Sequence, residues 1–240
     1  MIKIINKLLG IFKVEVRRAQ ARPLKVLQGL LENQSRPIIL DIGAHHGGSV
    51  RDYRQHFPDA TIHAFEPSPE IYNILKKSTA SDPSVSAHQL ALSDQVGQLD
   101  FHLNRDSFTN SLLQIDDLAG DAWGDDVYRA KSVKSVDVST LDTLCSQGVF
   151  DRITILKIDV QGAELKVLRG GKGLFENGKV GMVYCEIVLV PTYQGQGDYI
   201  EILDFMNGHG YSLYGIYDPW RKGNRLLQFD ALFVNSRDFI

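Results

Sequence analysis

From Pro37 onward, short apolar runs alternate with helix-like stretches, and that alternation leaves few folds open to the chain. Ile38 to Ile42, Thr61 to Glu66, Val85 to Leu92, Ile153 to Asp159 and Val180 to Val188 are rich in β-branched and aliphatic residues and bounded by turn formers. Runs of that length and composition read as buried strands. Ser68 and Pro69 supply an N-cap and a first-turn proline for a helix carrying Ile71, Ile74 and Leu75. A second helix is expected over Asp198–His209, closed by Gly210 in a left-handed cap. Two strands, Tyr211–Ile216 and Leu226–Val234, then finish the chain. Gln98–Leu103 and Val133–Val138 read as an added antiparallel pair. Parallel strands need long crossovers, and helices in those crossovers cover both faces of the sheet. The expectation is an α/β fold.

With 240 residues, 43% hydrophobic and 23% charged, the chain is large enough to bury one proper core. Disordered, collagen-like and disulfide-framework classes are excluded on the same ground. Cys145 and Cys185 stand 40 positions apart without metal-ligand spacing, which points to a reducing, cytoplasmic setting. No apolar run approaches the ~18–20 residues of a membrane span.

Charge is distributed unevenly. The first 25 residues hold Lys3, Lys7, Lys13, Arg17, Arg18, Arg22 and Lys25 against Glu15, a net of +6 that leaves −9 for the rest of a chain whose total is −3. On a helical wheel Ile4, Ile5, Leu8, Leu9, Ile11, Phe12 and Val16 share one half, and most of the cations share the other. Residues 1–35 are therefore expected to form a basic amphipathic helical segment ahead of a domain at 36–240. Such a stripe packs on the domain or a partner, or lies on an anionic membrane through residues 1–22, at roughly 1 kcal/mol per cation. The second arrangement makes a cytoplasmic protein peripheral to the membrane. Lys7 and the lack of a small-residue cleavage site argue against a signal peptide. The negative remainder gives no footprint for nucleic acid, so a nucleic-acid enzyme is disfavoured.

Ligands of open α/β sheets bind beyond the carboxyl ends of the strands. Standing there are Asp41-Ile-Gly-Ala-His-His-Gly47, Glu66-Pro67, Leu92-Ser93-Asp94, Asp159-Val-Gln-Gly162 and Glu186. Gly43 and Gly47 allow close backbone approach to a ligand. His45 stands where the dinucleotide fingerprint needs glycine, which disfavours a nicotinamide oxidoreductase. The spacing fits instead the looser glycine turn of S-adenosylmethionine (SAM) enzymes. Glu66, at the end of the neighbouring strand, is placed to accept from both hydroxyls of a ribose. Lys157 shares a strand face with Asp159, and a lysine inside an apolar strand needs an acidic partner.

The combination of Asp41-Ile-Gly-Ala…Gly47, Phe65-Glu66-Pro67, Ala91-Leu92-Ser93-Asp94 and Leu156-Lys-Ile-Asp-Val-Gln-Gly-Ala-Glu164 resembles the FkbM-type methyltransferases, SAM-dependent enzymes that mostly O-methylate sugars and secondary metabolites. The likeness runs from about Pro37 to Val234, and Lys-Ile-Asp-Val-x-Gly-x-Glu is its most specific piece. It implies a Rossmann-like class I methyltransferase fold: a mostly parallel seven-stranded sheet, helices on both faces and a small antiparallel insertion. It also implies that Asp41, Gly43, Ala44, His45 and Gly47 hold the methionine part of SAM, Glu66 and Pro67 the ribose side, and Leu92 and Ser93 the adenine edge. By the same resemblance, Ser111, in Asn110-Ser111-Leu112, is expected in a loop covering the cofactor. The family usually has Asn where His45 stands.

Methyl transfer to an alcohol requires in-line alignment, exclusion of water and removal of a proton. Asp159, Glu186, His45 and His46 are the candidate bases, and Asp159 with Glu186, supported by Lys157, is the expected catalytic group. The same carboxylates suit a divalent metal such as Mg²⁺, and the sequence leaves that open. Tyr193, Gln196, Tyr217 and Arg221 offer rings, amides and a guanidinium suited to a sugar or glycan acceptor. Arg105–Arg129, with Trp123, reads as a cover for the pocket. The competing reading is a non-catalytic protein of the same fold that uses its N-terminal helix for a partner.

Overall fold

The structure, a computed structural model, describes residues 22–32, 35–124 and 128–236. Most of the basic amphipathic stripe, residues 1–21, lies outside the described residues.

The first described helix, α1 (Pro23–Leu30), precedes β1 (Ile38–Ile42), α2 (Gly48–His56), β2 (Thr61–Phe65), α3 (Pro69–Thr79) and β3 (Val85–His88). Then come β4 (Ala91–Leu92), β5 (Gly97–Asn104), a 3₁₀ turn (Ser107–Thr109), α4 (Ala119–Trp123), β6 (Ala130–Ser139) and α5 (Leu141–Ser146). The chain continues through β7 (Ile153–Ile158), α6 (Glu164–Arg169), α7 (Lys172–Glu176), β8 (Val180–Val188), α8 (Tyr199–Gly208), β9 (Tyr211–Lys222) and β10 (Arg225–Asn235).

Seven strands form the main sheet in the order β3-β2-β1-β7-β8-β10-β9. The first five pair in parallel, and β10 runs antiparallel between β8 and β9. Strand order reverses between β1 and β7, so the crevice for a ligand opens beyond their carboxyl ends. All six residues of β7 are buried, as a strand covered on both faces requires. Side-chain alternation divides the core. Leu40, Ile42, Leu156 and Ile158 meet the apolar faces of α5, α6 and α8, while Ile39, Ile155 and Met182 join Leu27 of α1 with Val50 and Tyr53 of α2.

A second sheet, β4-β6-β5, carries the expected antiparallel insertion as β5 against β6. The run Val85–Leu92 divides between the sheets: β3 pairs with β2, whereas Ala91 and Leu92 leave to pair with Val138 and Ser139 of β6. The sixth expected strand does not stop at Ile216. It extends to Lys222 because β10 continues to pair with it, through register shifts, as far as Arg225. Asp198 and Glu201 close a capping box at the start of α8, and Gly210 follows the helix with φ +82°.

Candidate active site

The turn from β1 into α2 is tied to its neighbours at the crevice. Gly43 N–H and Ala44 N–H both donate to Phe65 O, at 3.0 and 2.9 Å. Gly43 has φ +81°, and a Cβ built there would lie 1.9 Å from Asp159 O, so the end of β7 excludes any larger residue. His45 takes φ +48°, a left-handed conformation that Asn, Asp and His adopt more readily than most side chains. Its Nε2 lies 2.9 Å from Ser107 Oγ, and its ring stands 4.0 Å from Phe108 and 3.9 Å from His46. Burial, then the neighbouring His46, pushes its pKa down to about 4, so the imidazole is neutral near pH 7.

Glu66 is 5% exposed. Burial pushes its carboxyl up to about pKa 7, opposed by the backbone amides of Ser68 (2.8 Å) and His45. It stands on the wall of a cavity at the carboxyl ends of β1 and β2. Gly43, His45 and Asp159 line one part of this cavity, and Pro67, Leu92, Phe101, Phe108 and Leu112 give it an apolar slot.

Other residues expected at the cofactor lie behind this wall. Asp41 is fully buried, with its carboxylate accepting from the Ser49 hydroxyl and sitting 3.0 Å from Lys157 Nζ. It holds the turn from beneath and does not line the cavity. Ala44 and Gly47 shape the turn through Gly47 N–H donating to Ala44 O at 2.9 Å. Ser93 is buried against Asp94 and Ser139. Ser111, also buried, donates to Gln161 O at 2.7 Å, while its neighbours Asn110 and Leu112 reach the cavity.

Lys157 Nζ bonds Gly43 O at 3.0 Å and pairs with Asp41 and, at 3.5 Å, with Asp159 Oδ2. Burial works against the ammonium, but Asp41 and then Asp159 outweigh it and hold its pKa above the usual lysine range. The cation thus stiffens the sheet and fixes Asp159. Gln161 takes the other side of that carboxylate, with Nε2 2.9 Å from Asp159 Oδ1.

A second, larger and more open cavity adjoins the first; Phe108, Asp159 and Gln161 line both. Glu186 is in its wall, accepting from Gln161 Nε2 at 2.8 Å and from Gln228 Nε2 at 3.0 Å. Burial, followed by Asp159 and Glu164, raises the Glu186 pKa well above the usual carboxylate range. Asp159 has a cation and partial solvent access, whereas Glu186 has neutral amides and acidic neighbours.

Of the four residues expected at the acceptor, Arg221 alone lines this cavity. Tyr193 is 2% exposed, its hydroxyl lying 2.9 Å from Thr109 O and 3.0 Å from Gln161 Oε1, the two oxygens sharing its one proton. Gln196 uses its amide within the loop, on Thr192 N, Tyr193 N and Val190 O. Tyr217 is buried with Tyr184 and Leu232. Sequence reasoning gave no role to Gln161, Lys222 or Gln228 at the site. Gln161 takes φ +57°, two residues after the strand-end acid, and a polar residue between that acid and Gly162 is the one available signal.

The family model for the methyltransferase FkbM domain matches residues 41–213. The chain belongs to the FkbM methyltransferase family. This methyltransferase is 31% identical over 178 residues to "2-O-methyltransferase NoeI" of Sinorhizobium fredii, covering 71% of each chain. To "31-O-demethyl-FK506 methyltransferase FkbM" of Streptomyces tacrolimicus it is 24% identical over 214 residues, 81% of this chain and 80% of that one. The fold is shared with the Methanococcus jannaschii fibrillarin pre-rRNA processing protein, at TM-score 0.50 and 10% identity over 90% of this chain and 70% of that one. As an FkbM methyltransferase, the enzyme uses SAM.

The first cavity fits that cofactor. A carboxylate suits the ribose diol, the apolar slot suits a purine, and the Gly43–His45 turn suits the amino-acid end. Among the described residues, no group of three or more His, Cys, Asp or Glu is arranged to hold a metal ion. No helix among them is long and apolar enough to cross a membrane.

Proposed function

We propose that this FkbM methyltransferase moves the SAM methyl group onto a hydroxyl of a sugar, glycan or secondary metabolite. One observation carries the reading: the cavity suited to SAM and a second, larger one meet at Asp159, Gln161 and Phe108. The names of NoeI and FkbM, both O-methyltransferases, support an oxygen acceptor.

When bound, SAM supplies a methyl group on a sulfonium that leaves as a neutral thioether. The chain's own residues do the rest. Glu66 holds the ribose hydroxyls, and the Gly43–His45 turn holds the amino-acid end. Asp159 reaches the second cavity with one oxygen fixed by Lys157 and the other by Gln161. It takes the proton of the acceptor hydroxyl as that oxygen forms its new bond, a contribution of about 10²–10⁴-fold. Lys157 keeps this carboxylate in place and balances the charge of buried Asp41. Glu186, with its raised pKa, orients the acceptor by hydrogen bonding. Phe108, its ring tilted against that of His45 at 4.0 Å, lies over the junction and limits the access of water.

The test is transfer of labelled methyl from SAM to a panel of hydroxylated acceptors, with SAM affinity measured in parallel. Asp159→Asn is expected to lower kcat at least about 10²-fold and to change SAM affinity less than tenfold. Full turnover in that variant removes Asp159 as base. Activity that EDTA abolishes and Mg²⁺ restores gives the carboxylates a metal-binding role instead.

A further inference from the structure

The charged residues of the second cavity are sorted by origin. Asp159 and Glu186 come from the carboxyl ends of β7 and β8, beside the SAM cavity, and Asp106 caps the 3₁₀ turn. Arg221 and Lys222 come from the far end of β9, where the hairpin turns at Gly223 and Asn224. Each has a backbone partner: Lys222 Nζ donates to Asp121 O at 2.8 Å, and Arg221 Nη1 to Asn224 O at 3.3 Å. Neither forms an ion pair with a carboxylate among the described residues. An ammonium has three donors and a guanidinium five, so most of this capacity is unspent. Arg225, in register with Lys222, adds a third cation at the same end.

We propose that Arg221 and Lys222 form an anion subsite, and that the acceptor is a saccharide or related molecule bearing a phosphate or carboxylate away from its reacting hydroxyl. The inference rests on the acceptor assignment above and names its chemical class. Apart from its first 25 residues the chain carries −9, a field that repels an anionic substrate from most of the surface. Cations at the mouth reverse that field locally, a feature a neutral polyol does not need. The fork of Arg221 matches two oxygens of a carboxylate or phosphate, and Trp220, 58% exposed in the same cavity, offers a flat apolar face to a sugar ring.

The experiment uses the full chain and four probes: UDP-glucose, glucose 1-phosphate, glucuronic acid and methyl glucoside. Binding to the enzyme loaded with S-adenosylhomocysteine is measured by calorimetry, and methyl transfer is measured separately. The anionic probes are expected to bind about 10–100-fold more tightly than the glucoside at low salt, and less so at high salt. Arg221→Gln with Lys222→Gln is expected to bring the anionic-to-neutral ratio close to one, while SAM binding reports a folded variant. A preference for phosphate over carboxylate, or the reverse, identifies the anion. Equal binding of charged and neutral probes, or a preference that survives the double substitution, overturns the subsite. If anionic probes bind through these residues and no acceptor is methylated, the subsite stands and the transfer reading falls. If neutral and anionic acceptors are methylated with equal kcat/KM, transfer stands and the subsite falls.

Discussion

Replacing Glu66 with glutamine separates what this side chain does for SAM from what its burial costs the protein. In the free enzyme burial pushes the carboxyl to about pKa 7. Ribose hydroxyls donating to it stabilise the ionised form, so binding has to displace the proton at lower pH. At pH 6 about nine-tenths of the free sites are protonated, and at pH 8 about one-tenth. SAM affinity is therefore expected to rise about tenfold between those values, or about 1.4 kcal/mol. Glu66→Gln removes a charge-assisted hydrogen bond worth about 1.5–3 kcal/mol, so Kd at pH 8 should increase about 10–150-fold. Its pH slope should flatten.

Stability should move the opposite way. A folded carboxyl that binds its proton more tightly than the unfolded one contributes full stability below pH 4.5 and loses it as pH rises through 7. The loss approaches about 3 kcal/mol for this group at pH 8. The ligand-free glutamine variant should accordingly melt several degrees higher than the parent at pH 8, and close to it at pH 5. Calorimetric titration and thermal denaturation at pH 5, 6 and 8 read all of this. A parental Kd constant within twofold from pH 6 to pH 8, or a variant within threefold of the parent at pH 8, refutes the reasoning.

Gln161→Ala removes the amide between Asp159 and Glu186. It should lower kcat more than it raises KM for SAM, and like-charge repulsion should move the acidic limb of the pH–rate profile upward. An unshifted limb argues for a structural role only. Gly43→Ala drives a Cβ against Asp159 O, and the expected outcome is loss of soluble folded protein or a Tm drop exceeding 10 °C. Asp198→Ala opens the capping box of α8 and should cost about 1 kcal/mol in denaturant titration, with kcat unchanged. The cations of residues 1–22 are proposed to meet an anionic membrane surface. Deleting those residues should abolish pelleting with anionic liposomes, and equal pelleting of both forms removes that proposal.

The strands were readable where burial on both faces leaves only apolar side chains, as in Ile153–Ile158. They were misjudged where pairing, not composition, decides. Ala91 and Leu92 are as apolar as the strand before them but hydrogen-bond to another sheet. Trp220, Arg221 and Lys222 look like loop until β10 is laid beside them. At the site, Glu66 and Asp159, at strand ends, line the first cavity. Position alone does not say which way a side chain turns, and Asp41 turns toward Lys157 beneath the turn. Tyr193, Gln196 and Tyr217 illustrate a further ambiguity: rings and amides that suit a sugar also brace a loop, and only burial distinguishes the two uses.

Because Phe108, Asp159 and Gln161 are walls of both chambers, the proposed function has substitutions there alter donor and acceptor handling together. Trp123, Trp220 and the hairpin tip border only the larger chamber. Re-engineering toward a new acceptor has its natural starting ground in those outlying positions, where diversity can be introduced without rebuilding the machinery that grips SAM.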